Sequence, residues 1–232
     1  MVAEKELIIK KANEYNNSAD RYDVLMGEKL FDDYIAKHPN DIDMLLRLAT
    51  YLLLWQFGDT PKAMECINRV LELDKNNIEA TLLLVCIKFF YICTSEEDRL
   101  SLCNLKTDDP EELSMIEYAK SWTYVNNKKQ QDLYQEALEK SVQLYSFNVW
   151  NYRHLGLLYL KQGRTSEARE LLSKALKNVK EVYVENCDYI GYDWTDIQNY
   201  FNALIRGTHI TDVLYESLKK ELLEIDLENH AL

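Results

Sequence analysis

The chain has 232 residues, 47% hydrophobic and 28% charged, with only 6 Gly and 3 Pro. So few turn formers exclude an all-β fold and suit long helices joined by short loops. The formal net charge of −12 argues against DNA or RNA as a partner, because that binding rests on neutralising phosphates, and suits a basic partner or simply solubility.

The N-terminal stretch MVAEKELIIKKANEY carries Glu4 and Glu6 beside a short apolar run. That is not the pattern of a secretory signal. KLFDDYIAKHPND then reads as the end of a helical unit, with Phe31, Tyr34 and Pro39 at packing positions. Asp32 and Asp33 fall on its solvated face and do not suggest an acid-base dyad. In IDMLLRLATYLLLWQFGDTPKAMECINRVLELDKNN, Leu45, Leu48, Ala49 and Leu52 recur at helical spacing. Ala63, Ile67 and Val70 do the same in a second helix. TLLLVCIKFFYICT is the longest apolar run, but Lys88 breaks it and it is too short to span a bilayer. Residues 95–108 are irregular: Ser95 is placed to cap a short helix, and Asp109 before Pro110 to start another. EELSMIEYAKSWTYV and YQEALEKSVQLY, around Ala137, make a further pair.

The clearest unit is VWNYRHLGLLYLKQGRTSEARELLSKALKNV. Leu155, Gly156 and Tyr159 are followed by a turn at Gly163, then by Ala168, Leu172 and Ala175. Gly156 lets the first helix approach the second where Ala168 leaves room. This spacing resembles the tetratricopeptide repeat, a helix-turn-helix unit of about 34 residues. The resemblance covers residues 8–180, with one strong unit, one good unit and two or more degenerate ones. It implies an all-α fold, a right-handed superhelical stack of antiparallel helix pairs. After Lys180 the pattern lapses. DWTDIQNYFNALIRG then reads as a helix striped by Ile197, Tyr200, Phe201 and Leu204. HITDVLYESLKKELLEIDL reads as a second, striped by Leu214, Leu218, Leu222 and Ile225. This pair is expected to close the open end of the stack. The expected organisation is therefore a repeat array over 1–180 and an acidic aromatic segment plus capping helices over 181–232.

The lapse itself, VYVENCDYIGYDWTD, gathers Tyr183, Asp188, Tyr189, Tyr192, Asp193 and Trp194 without a single Lys or Arg. Aromatic residues supply contact area at low entropic cost, and acids beside them orient a basic partner. The segment reads equally as a binding surface and as a loop packed back on the last helix. In the family the resemblance names, one face of each first helix lines a groove. Here that face carries Trp150, Arg153, Leu157 and Lys161 in the strong unit, and Asp43, Leu46, Thr50 and Leu53, without a base, in the good one. Leu157 stands where a carboxylate clamp offers Asn, which argues against a chaperone-tail clamp. Trp55 and Trp122 are expected to pack between helices.

Catalytic and cofactor motifs do not emerge. The six glycines are isolated, so neither a phosphate-binding loop nor a dinucleotide turn is present. His38, His154, His209 and His230 stand at no metal spacing. The five cysteines form no C-x-x-C pair, as in reduced, cytoplasmic proteins. Cys66, Cys86, Cys93 and Cys103 are expected as small core residues. No cofactor, metal or membrane is expected. The expected function is non-catalytic binding of a basic protein or peptide, with an immunity protein or antitoxin as one specific case. The alternative is a scaffold or an accessory subunit of an enzyme complex.

Overall fold

The computed structural model describes residues 2–18, 20–54, 59–125, 127–182, 193–202, 205 and 212–230. Among them every regular element is a helix, so the chain is all-α. They divide into two compact units. The first holds the described residues of Met1–Cys93, Cys103–Leu105 and Asp188–Tyr200, and the second those of Thr94–Leu102, Lys106–Cys187 and Phe201–Leu232.

The first unit is built from α1 (Val2–Asn17), α2 (Arg21–Ile35), α3 (Ile42–Leu53), α4 (Thr60–Leu73) and α5 (Ile78–Tyr91). Each helix from α2 to α5 starts at a side-chain cap: Asp20, Asp41, Asp59 and Asn77 accept from backbone N–H groups of the first turn. Such caps satisfy donors the helix cannot satisfy internally. Consecutive helices pack in hairpins, α1 on α2 and α3 on α4. Phe31 and Tyr34 of α2, Met44, Leu48 and Tyr51 of α3, and Ile67 of α4 are fully enclosed. The repeat end read from Phe31 and Tyr34 thus has α1 as its first helix, although the sequence of α1 matches the pattern poorly.

The second unit contains α6 (Glu96–Asn104, through Leu102), α7 (Pro110–Tyr124), α8 (Gln131–Leu144), α9 (Trp150–Lys161), α10 (Thr165–Val182) and α12 (Asp212–His230). The five-residue α11 (Ile197–Phe201) lies between them in sequence, with its first four residues in the first unit. In the irregular stretch, Ser95 and Asp98 exchange hydrogen bonds as a capping box: the Ser95 N–H donates to Asp98 Oδ2 (2.7 Å), and the Asp98 N–H to Ser95 Oγ (3.4 Å). Asp109 caps α7 ahead of Pro110, as its sequence predicts.

The α9–α10 hairpin shows why the strong repeat reads so clearly. A Cβ placed on Gly156 would lie 2.9 Å from Leu172 Cγ and 3.3 Å from the Ala168 carbonyl oxygen. Any side chain at this position would force Leu172 to shift, and glycine avoids that. Gly163 turns the chain with φ +75°. Val149, Tyr152, Leu172, Ala175 and Val179 form a core with Leu218 and Ile225 of α12, so α12 covers the apolar face of this hairpin. Trp122 is buried in α7, as expected. Trp55, Cys187 and Leu204 lie outside the described residues.

One expectation about the core needs correction. Cys66 and Cys86 are buried, but Cys93 and Cys103 are exposed. Cys93 follows the end of α5, where Phe90, Tyr91 and Ile92 are exposed as well. The apolar run of the sequence therefore outlasts the buried part of the helix. Cys103 sits on an outer face of α6, next to the buried Leu102.

Candidate functional site

Residues 193–200 lie against α1, α3 and α5 of their own unit. Asn13 of α1 donates to Asp193 Oδ1 (2.8 Å) and accepts from the Trp194 backbone N–H (2.8 Å). Arg47 of α3 reaches Asp193 Oδ2 (2.7 Å) and Thr195 Oγ1 (3.0 Å). Its guanidinium also pairs with Asp43 (2.9 Å) and Asp196 (3.5 Å). Further along, Gln198 donates to Glu79 at the start of α5, and Tyr200 hydrogen-bonds Cys86 in the middle of that helix. The segment thus passes from α1 to α3 to α5.

Local turns hold the segment in shape. Asp193 Oδ1 accepts from the Thr195 N–H (3.0 Å) and hydroxyl (2.7 Å). Asp196 caps α11 by accepting from the N–H groups of Gln198 and Asn199. Burial alone would raise the Asp193 pKa, but hydrogen bonds from Asn13, Thr195 and Arg47, with the Arg47 charge, hold it below the usual carboxylate range. Asp41 nearby follows the same logic. Burial opposes ionisation, and Lys5, Tyr34 and the Met44 N–H outweigh it.

In the second unit, Trp150 and Arg153 share a turn of α9. The Arg153 guanidinium lies 5.8 Å from the Trp150 ring centroid and grips Glu221 of α12 with two prongs. Trp150 packs against the core that α12 helps to form. His154 is the next residue, with its Nδ1 2.9 Å from the Tyr118 hydroxyl of α7. Burial first, then the charges of Arg153 and Lys161, lower its pKa to about 4, so it is neutral near pH 7.

Residues 152–178, which span most of this hairpin, match the family model described as "Tetratricopeptide repeat". This hairpin is a repeat of the tetratricopeptide type. Its helical pairs also match solved structures. A crystal structure of MamA is 20% identical and covers 69% of this chain and 91% of its own, with a TM-score of 0.52. A MamA RS-1 double mutant is 16% identical over 80% of this chain and 98% of its own, at 0.55. MamA 41-end from Desulfovibrio magneticus RS-1 is 19% identical over 74% and 96%, at 0.53. At these identities the likeness is one of fold. No curated protein matches the sequence.

Within this tetratricopeptide-type framework, the residues singled out by sequence fall into three groups. Tyr183, Asp188, Tyr189 and Tyr192 lie outside the described residues. Asp193 and Trp194 are brought to α1 and α3. Trp150 and Arg153 are brought to α12. Sequence reasoning missed Asn13, Arg47 and Thr195, which complete the Asp193 site. The groove face of the good repeat was read as having no base, yet Arg47, one position beside it, supplies one. Among the described residues no group of three or more His, Cys, Asp or Glu is arranged to hold a metal ion, and no helix is long and apolar enough to cross a membrane.

Proposed function

We propose that this chain is a protein-interaction module that binds a basic protein or peptide. The observation that carries the reading is the tetratricopeptide-type hairpin at 152–178, because such units present helix faces to other proteins and hold no reactive group of their own. The net charge of −12 supports the basic character of the partner. Exposed carboxylates such as Glu65, Asp132 and Glu136 are placed to steer it, since surface charge acts mainly on encounter. Arg153 and Asp193 are engaged within the chain, so the steering falls to the outer acids.

The test is affinity capture from the source cells, followed by titration of the purified partner at low and high salt. The expected result is one dominant, basic partner whose association slows as salt rises. An acidic partner, or a rate indifferent to salt, would overturn the basic reading.

A further inference from the structure

Residues 193–200 contact α1, α3 and α5 largely through side chains, and the polar ones are of a kind that a separate peptide could offer. An acid meets an Asn amide and an Arg guanidinium. A Thr hydroxyl accepts from the same Arg. A Gln amide meets Glu79, and a Tyr reaches the buried Cys86. The Trp194 N–H even finds its acceptor in the Asn13 side chain. Such a peptide would carry, in order, the groups Asp, Thr, Asp, Gln and Tyr.

We propose that this face of α1, α3 and α5 is a recognition surface for an acidic, aromatic segment of another protein, and that residues 193–200 occupy it as a built-in competitor. The partner class differs from the basic one proposed above and involves a different surface, so the two stand or fall separately. Arg47 is the selecting residue. It is 16% exposed at its side chain and contacts Asp193, Asp43 and Asp196. A partly desolvated guanidinium strongly favours an acid over a neutral group. Because the competitor is tethered, its effective concentration is high, and an outside segment is held off until the tether's grip weakens.

The probe is a fluorescein-labelled peptide with the sequence of residues 192–201, YDWTDIQNYF, read by polarisation against the full-length chain. Asp193→Ala loosens the chain's own segment but leaves the face intact. That variant should bind the peptide about tenfold or more tightly than the wild type, as expected when a tethered competitor is weakened. Adding Arg47→Ala to it should abolish binding. So should replacing the first Asp of the peptide by Asn. Circular dichroism and melting establish that each variant is folded. Should Asp193→Ala fail to fold, the milder Thr195→Ala, which removes one donor to Asp193 and one acceptor for Arg47, replaces it. A folded variant that ignores the peptide, or one that binds no better than wild type, would show that 193–200 is fixed core and overturn the proposal. So would unfolding of both variants. Peptide binding by a chain that captures no basic partner would uphold this proposal and overturn the other.

Discussion

Arg153 of α9 and Glu221 of α12 form a two-pronged ion pair, with Nε 3.2 Å from Oε2 and Nη2 2.5 Å from Oε1. The side chains are 20% and 17% exposed, so solvent screens the pair only in part. It joins α12 to the hairpin beside an apolar contact that runs through Leu218 and Ile225. A double-mutant cycle of Arg153→Ala and Glu221→Ala, followed by urea unfolding, should give a coupling of about 1–2 kcal/mol. A coupling near zero would mean that α12 is held by its apolar face alone.

The Gly156 seam has a sharper cost. Ala168 and Leu172 are fully buried, and both face Gly156. Ala168→Leu should destabilise the chain by about 1–3 kcal/mol through overpacking. Gly156→Ala gains about 1 kcal/mol of helix propensity, but its methyl meets Leu172 at 2.9 Å. The smaller net loss expected there separates the two effects. Thermal melting of both variants measures it, and a melting temperature unchanged in Ala168→Leu would show that the two helices do not meet at that contact.

Acid should loosen the two units in different pH windows. Asp193 has a depressed folded pKa. Its contribution to stability is therefore present above the unfolded value and lost as pH falls through the folded one. His154 has a folded pKa of about 4 against 6.5 unfolded. Its neutral form is the folded one, so its contribution is complete above 6.5 and declines as pH falls towards 4. Stability measured against pH should then decline first through the His154 window and again below it. His154→Gln should flatten the upper decline, and Asp193→Asn the lower. An Asp193→Asn chain with an unchanged acid limb would show that the Arg47 contact does not bias the ionised form.

The hairpins were legible because their signal is local. Leu155, Gly156 and Tyr159 lie within one helix, and Ala168, Leu172 and Ala175 within the next, so helical spacing alone brings them to a seam. The Asp193 site was not legible for the opposite reason. Asn13 and Asp193 are 180 residues apart, and no periodicity relates them. Arg47 was hidden by its neighbour. With Asp43 at i, i+4 it reads as an ordinary helix pair, and that contact is indeed made, but the same guanidinium also turns to Asp193. The aromatic and acidic character of 182–196 did mark a segment that leaves the repeat. Composition cannot say whether such a segment meets another protein or its own chain.

The cysteines offer the last test, because they divide by position in the fold. Cys66 in α4 and Cys86 in α5 are buried, and burial raises their thiol pKa values to about 11 and about 12. The thiolate is the reactive form, so both should be inert in the folded chain. Cys93 and Cys103 are exposed and should react first with an alkylating reagent near neutral pH. Peptide mass mapping over a time course should find Cys93 and Cys103 labelled at once. Cys66 and Cys86 should be labelled only after denaturant is added. Cys86 is the more informative of the pair, since Tyr200 hydrogen-bonds it from the segment that crosses α1 and α3. If Asp193→Ala frees that segment, Cys86 should become reactive while Cys66 stays protected. Equal protection of both in that variant would mean that the segment remains seated without its acid anchor.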